Sequence, residues 1–439
     1  MESIWTKTCS LPQFPTLKGE HKTDVLIIGG GLTGILCAHF LHQQGIDYIL
    51  TEADQIGKAT TGNTTAKITS QHGLIYHKLK NSIGLENTGL YLKANQKALE
   101  LYGKLCENID CDYAEKDNYI YSTSSEAKLE QELFTLEQLH FPAEYSRNLP
   151  IPVSSCGAVR FPKQAQFHPL KFLSAIASGL NIYEHTKVQE FIGYTAVTNH
   201  GKIHAEQIIV ATHFPFLNKH GLYFLKLYQH RSYAIALSNA PDYDGMYADD
   251  SKTGLSFRNY QNLLFVIGGS HRTGKRGGNW KELREFAQQQ FPQAKEKYHW
   301  ATQDCMPLDH LPYIGPYSSA TPGIYTASGF QKWGMTSAMV SAMLLTDLVL
   351  GKQNPYAHIF SPSRSMIKPQ LIANAWESTV NLLTPTVPRC PHLGCALKWN
   401  PAEHSYDCPC HGSRFDKDGS LLNNPANARL TSKKIISDK

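Results

Sequence analysis

Two short loops in the stretch RCPHLGCALKWNPAEHSYDCPCHGSRFD, residues 389–416, hold six Cys or His side chains able to bind a metal. Cys390 and His392 stand two apart, Cys408 and His411 three apart, and fifteen residues separate the pairs. Two metal chemistries use such a set. A structural zinc takes two Cys and two His tetrahedrally, with Cys spacings such as C-x₂₋₄-C. A two-iron, two-sulfur centre instead takes two Cys on one iron and two His on the other. Here each loop offers one thiolate and one imidazole, so each loop can serve both irons. That mixture favours the di-iron reading over zinc. Cys395 and Cys410 are left over, one in each loop.

The other end of the chain carries phosphate chemistry. Gly29, Gly31 and Gly34 form G-x-G-x-x-G, and Glu52 closes the next strand-like run. Gly29 permits a tight turn, Gly31 lets the backbone approach a pyrophosphate, and Gly34 lets a helix pack closely on the strand. The helix N-terminus offers free N–H groups and a positive dipole end. Glu52 stands where a carboxylate accepts hydrogen bonds from ribose hydroxyls, which disfavours a phosphorylated ribose. The turn alone does not separate FAD from NAD. A second such turn would suggest NAD(P)H as donor, but VIGGSHRTG (266–274) lacks the spacing.

These residues need elements to position them. DVLII (24–28) reads as a buried parallel strand, ILCAHFLHQQG as a helix and DYILT as a second strand, a βαβ unit. Residues 92–109 carry Ala98, Leu101, Tyr102, Leu105, Cys106 and Ile109 at helical spacing. QIIVAT (207–212), RSYAIAL (231–237), NLLFVIG (262–268) and GIYTA (323–327) are strand-like, and SAMVSAMLLTDLVLG is a helix. The connector KQNPYAHIFSPSR marks a boundary before a last helix near 366–383.

The 439 residues suffice for two or three domains. A net charge of +5, spread along the chain, argues against a nucleic-acid partner. The first twenty residues lack the apolar core of a signal peptide, and no uncharged apolar run reaches about 18 residues, so a cytoplasmic location without a transmembrane segment is expected. Cys9, Cys37, Cys106, Cys111, Cys156 and Cys305 are scattered, as buried structural thiols are in a reducing compartment.

DVLIIGGGLTG, IGKATTGNTTAKITSQHG, IIVATH, MPLDHLPYIGPY and GIYTASGFQKWGMT occur in an order that resembles the D-amino-acid-oxidase-like superfamily of FAD oxidoreductases. The resemblance implies an α/β chain: a GR2-type Rossmann-like FAD-binding domain (21–85, 150–215, 305–352) interleaved with an α+β substrate domain (86–149, 216–304). An arm (1–20) precedes it, and a linker and helix (353–384) follow. Gly29, Gly31, Gly34 and Glu52 would hold the ADP half, and Thr60, Thr61, Asn63 and Thr64 the pyrophosphate and ribityl chain. Val188 would meet the adenine through its backbone, with Gly329, Trp333, Gly334 and Met335 at the flavin ring. His72, Tyr233, His271 and Lys332 occupy family-like positions near the substrate. Cys305 reads better as an ordinary core cysteine than as a flavin tether.

CPHLGC and CPCHGSRFD resemble the cluster loops of the Rieske family, which implies a small all-β [2Fe–2S] domain over 385–439. Cys390, His392, Cys408 and His411 would be its ligands, and Cys395 and Cys410 a disulfide tying the loops, against the alternative of two free thiols. Ser413 would donate to a cluster sulfur. Phe415 stands where many respiratory relatives have a Tyr donor, so a potential in the lower or middle part of roughly −150 to +300 mV is expected, checked by redox titration. Pro425–Ala426 would form a shielding third loop. The domain looks shortened, with only LLTPTVPR between the helical connector and Cys390.

Together the resemblances imply a dehydrogenase that oxidises the C–N bond of an amine or amino acid. Electrons would pass from FAD singly to the cluster and on to an acceptor, protein or quinone. A carrier or redox sensor without substrate turnover, and a flavin reductase fed by NAD(P)H, are the alternatives.

Overall fold

The computed structural model describes residues 2–430, apart from 218–219, 252–253 and 387. The last nine residues of the expected cluster domain, with Val387 and Met1 of the arm, lie outside the described residues. Among the described residues no helix is long and apolar enough to cross a membrane.

Strand β1 (Gly19–Ile28) ends in four buried residues because both its faces are covered. Val25 and Ile27 pack with Ile35 and Leu36 of helix α1 (Leu32–Gln43), while Leu26 and Ile28 join Ile208 and Val210 on the opposite side. β1 pairs in parallel with β2 (Tyr48–Thr51) and with β3 (Gly201–Val210). Strands 324–328, 313–316 and 182–183 extend this sheet at its edges.

The second sheet has nine strands, and three at one side matter most here: β4 (Leu227–Ser238), β5 (Leu263–Arg272) and β6 (Lys295–Pro307). β4 lies between the other two, antiparallel to both. The expected FAD-domain segment 150–215 divides between the sheets. Its strand 157–166 pairs with 114–122, 144–146 and 67–68, so both its ladder edges are satisfied inside the second sheet. Strand 67–68 likewise leaves the expected first domain.

Helix α2 (Gly334–Val349) is apolar on nearly all sides and buried accordingly. Helix α3 (Pro369–Leu383) then leads into a third, four-stranded sheet of three-residue strands at 398–400, 405–407, 414–416 and 421–423.

Candidate functional site

The two Cys/His loops meet above the third sheet. Cys395 and Cys410 form a disulfide across them. The sulfurs of Cys395, Cys408 and Cys410 lie within 4.8 Å of one another, and since two of these are bonded together, Cys408 is the one left for a metal. The Cys408 thiol donates to the Cys390 sulfur, which lowers the Cys390 pKa and raises that of Cys408. Backbone N–H groups of His392 and Leu393 also point at Cys390, as does the Ser413 hydroxyl, and those of Cys410 and His411 point at Cys408. Ser413 in turn accepts from the Ala426 N–H at 3.0 Å, which ties Pro425–Ala426 to the loops.

The imidazoles of His392 and His411 stand at right angles with centroids 4.9 Å apart. Burial pushes them down to about 4 and about 3, so both are neutral, as metal ligation requires. His411 Nδ1 is buried and has no hydrogen-bond partner among the described residues. Two thiols held by converging N–H donors, beside a buried imidazole nitrogen with nothing to bind, fit a thiolate/imidazole cluster.

The short cluster domain sits directly on β4, β5 and β6. Four consecutive carbonyls of its second loop accept from side chains of that sheet. Arg272 donates to Pro409 O at 2.8 Å and to Cys410 O at 3.0 Å. Gln229 donates to His411 O at 2.7 Å, and Gln303 to Gly412 O at 2.8 Å. Buried loop carbonyls must find donors somewhere, and here the flavin-side sheet supplies them. That is the answer to the missing base strands. A buried ion-pair chain completes the seat: Arg231 to Glu403, Glu403 to Arg414 and Arg414 to Asp407.

Side chains alternate across a strand, and this sheet uses both faces. Gln229, Arg231 and Tyr233 of β4 and Gln303 of β6 face the cluster domain. Tyr228, His230 and Ser232 of β4, with Thr302, Asp304 and Met306 of β6, line a cavity of about 1270 Å³ on the other side. His230 and Asp304 are directly opposed there.

The cavity begins at the carboxyl ends of β1 and β2, where Gly29, Gly31, Glu52, Thr60, Thr61 and Thr64 border it. Val188, His72, Lys332, Trp333, Gly334 and Met335 also line it. Glu52 accepts from the N–H groups of Gly30 at 2.7 Å and Asp54 at 2.9 Å, so it fixes the glycine turn as well as facing the cavity. Thr61 caps α1 by accepting from the Leu32 N–H at 3.1 Å. The open turn, the helix N-terminus and the length of the cavity suit a dinucleotide. Asn424 and Ala426 of the cluster domain close the wall nearest the cluster.

An FAD dependent oxidoreductase model matches residues 24–348, and a Rieske [2Fe-2S] domain model matches 381–434. The chain belongs to the FAD-dependent oxidoreductases. A Rieske 2Fe-2S iron-sulfur protein of Bacillus subtilis (strain 168), YhfW, is 35% identical over 97% of this chain and 96% of its own. The cytochrome b6-f complex iron-sulfur subunit 3 of Nostoc sp. is 30% identical over 25% of this chain and 65% of its own. Glycine oxidase from Geobacillus kaustophilus shares the fold at TM-score 0.67 and 19% identity, over 79% of this chain and all of that one. L-proline dehydrogenase from P. horikoshii does so at 0.67 and 18%, over 79% and 98%. The cofactors of this FAD-dependent oxidoreductase are FAD and a Rieske [2Fe–2S] cluster.

Within this FAD-dependent oxidoreductase, several expected site residues fall away from the cavity. Tyr233 and His271 stack on each other on the cluster side, centroids 5.8 Å apart, and the Tyr233 hydroxyl donates to Glu403 at 3.2 Å. The reason is strand parity: a neighbour one position along faces the flavin side instead. Asn63 turns its amide to Ala59 O at 2.9 Å. Gly329 packs against Leu227, Pro307 and Tyr313. Cys305 is buried, its thiol pushed up to about 12 by burial. His72 does border the cavity, stacked on Trp333 at 5.3 Å, but burial drives it down to about 3 and Thr69 and Thr336 occupy its Nε2. It stands in the wall as a neutral imidazole, its Nδ1 held by the Tyr91 hydroxyl.

Sequence reading overlooked Asp304 and Lys67 in this FAD-dependent oxidoreductase. Burial raises Asp304 to about 7, opposed by Lys332 and Arg231. Lys67 is lowered to about 7 by burial and by Arg258 and Lys332, and donates to Tyr247 O at 2.9 Å. Lys332 is accessible only because the surface it exposes is the cavity wall deep inside the protein. The strand KEKYHWATQDCMP carries several other charged and polar residues, so nothing local singled out Asp304.

Gly34 has a different task from its neighbours: a Cβ there would lie 1.9 Å from the Gly29 carbonyl oxygen. Gly34→Ala must push α1 off β1 and open the turn. The purified variant is expected to carry less than about a tenth of the wild-type flavin, since misfit of this kind costs about 1–3 kcal/mol at the turn. Flavin absorbance per chain measures it.

Proposed function

We propose that the protein is a dehydrogenase that oxidises the C–N bond of an amine or amino acid in the cavity. Electrons leave one at a time through the second sheet to the Rieske cluster, and then reach a separate acceptor, a protein or a quinone. FAD supplies hydride acceptance when bound, and the cluster supplies one-electron transfer.

The observation that carries this reading is the shared sheet. One face of β4 and β6 lines the flavin cavity, and the other holds the second cluster loop through Gln229 and Gln303. Gln303 joins the sides itself: its backbone carbonyl accepts from Thr60 at 3.4 Å, and its side chain binds Gly412 O. One layer of backbone separates the cavity from the second cluster loop.

On the flavin side, Gly29, Gly31, Glu52, Thr60, Thr61, Thr64 and Val188 would bind the dinucleotide. Trp333, Gly334 and Met335 would border the ring. Cys390, His392, Cys408 and His411 would ligate the cluster. Asp304 would take the proton that an ammonium substrate must lose before its carbon gives up hydride, and Lys332 would favour the ionised carboxylate that accepts it. The fold shared with glycine oxidase and L-proline dehydrogenase supports an amine-type substrate.

The test is anaerobic mixing of holoprotein with amino acids, secondary amines and NAD(P)H, followed at flavin and cluster wavelengths. Flavin bleaching by an amine with cluster reduction following is expected. Bleaching by NAD(P)H alone would make the protein a flavin reductase, and silence toward every small molecule would make it an electron carrier.

A further inference from the structure

Helix α3 is built inside out. Its outward side presents Ile372 and Trp376, 75% and 70% exposed, with Val380 and Leu383 completing a stripe at helical spacing. Its inward side buries polar groups: Asn374 accepts from Arg272 at 2.9 Å and donates to Leu225 O, and Asn381 donates to Glu377. Ile367, just before the helix, is 88% exposed. A helix on a free surface does the reverse, so this face marks a contact.

We propose that α3 lays its outer face into the surface of an anionic lipid bilayer. Three observations favour lipid over a second copy of the chain. The stripe is about 22 Å long at 1.5 Å per residue and covers roughly 220 Å², well short of the about 800 Å² per partner of a stable protein interface. Residues 361–400 hold Lys368, Arg389 and Lys398, besides Arg364, which Asp309 pairs at 2.7 Å, against one acid, Glu377, which Lys275 already pairs at 2.7 Å. A tryptophan in the middle of the stripe, with basic residues beyond both ends, is the composition of a helix that lies in the headgroup region. At fifteen residues the helix is too short to span.

The docking face is continuous with the cluster. Arg389 donates to Leu382 O at 3.0 Å and Gly394 O at 2.8 Å, and the Ala396 N–H reaches Asn381 O at 3.0 Å. The end of the helix is thereby fixed to the loop carrying His392 and the exposed Leu393. Taken with the electron-transfer reading above, on which this sentence alone rests, a lipid-dissolved acceptor would meet the protein at that loop. The docking and that reading fail separately, one by flotation and the other by the bleaching panel.

Flotation of the holoprotein with vesicles of equal parts phosphatidylglycerol and phosphatidylcholine, and of phosphatidylcholine alone, decides the matter. Wild type is expected to float with the anionic vesicles, at least about tenfold more than with the neutral ones or than an Ile372→Glu/Trp376→Glu variant does with either. Ile192→Glu, which alters an exposed apolar residue on another strand, is expected to float like wild type. Flavin and cluster absorbance confirm that each variant is folded. Should the double variant lose them, the wild type's release by raised salt serves in its place. Failure of the wild type to float, equal flotation with neutral vesicles, equal flotation of the double variant or salt-independent flotation overturns the proposal. So does a dimer seen by light scattering that the double variant makes monomeric, which would give this face to a second copy.

Discussion

Glu403→Ala is expected to lower the stability of the seated cluster domain by about 3–5 kcal/mol, the cost of stripping a buried ion pair of one partner. The Glu403 side chain is fully buried, and Arg231 and Arg414 beside it are nearly so. Glu403 Oε1 accepts from Arg231 at 3.0 Å and from Tyr233 at 3.2 Å, and Oε2 lies 2.9 Å from Arg414. Removing the carboxylate leaves Asp407 as the one acid of this ion-pair chain, bonded to Arg414, while Arg231 keeps a buried charge with none. Arg231→Met/Glu403→Met, which removes that orphaned charge along with the acid, should recover much of the loss. Denaturant unfolding followed by cluster absorbance measures both, and an alanine variant within about 1 kcal/mol of wild type would refute the argument.

The pH dependence of this contact has a defined sign. Burial would raise the Glu403 carboxyl, but Arg231 and Arg414 outweigh it and hold the group below its usual range. A carboxylate depressed in the fold stabilises at neutral pH and loses that contribution as pH falls through its folded value. The seat should therefore loosen in acid, below the ordinary Glu range near about 4.3.

On the proposed mechanism, Asp304→Asn is expected to reduce kcat/KM for an amine by about 10²- to 10⁴-fold, the usual contribution of a positioned general base. The carboxyl is raised to about 7 because burial disfavours its charge, with Lys332 and Arg231 pulling the other way. As the base it must be ionised, so activity should rise as pH passes about 7 and the asparagine variant should lack that limb. Stability runs the opposite way: a proton kept in the fold and released by the unfolded chain makes the protein less stable as pH rises from about 4 toward 7. A variant with the wild-type pH profile would assign the limb to another group.

What sequence revealed and what it hid divide by locality. The glycine turn, its helix and Glu52 span 24 consecutive residues, and each cluster loop is a few residues long, so spacing alone carries their chemistry. The Cys395–Cys410 disulfide, implied by resemblance, forms. The second sheet was legible as separate strands but not as a partition. Tyr233 and His271 lie in strands that do border the cavity, yet they face the cluster, because the choice of face is set by register with neighbours far along the chain. The shortened cluster domain looked insecure for the same reason. Its missing support comes from Gln229, Arg272 and Gln303, three residues spread over two antiparallel ladders that no local pattern connects.

The two-faced sheet also sets which changes in chain length the protein can survive. Inserting or deleting one residue in β6 just before Gln303, with the strand before the lesion held in register, would move Gln303 and Asp304 each to the opposite side. One event would thus put an acid against the cluster loop and an amide in the cavity. A substitution damages one function, whereas a single-codon frame-preserving indel here damages both. Deep scanning of insertions should find β4 and β6 intolerant of one residue, and somewhat more forgiving of two, which restore the alternation beyond the lesion. Loop 240–245, outside both strands, should accept either.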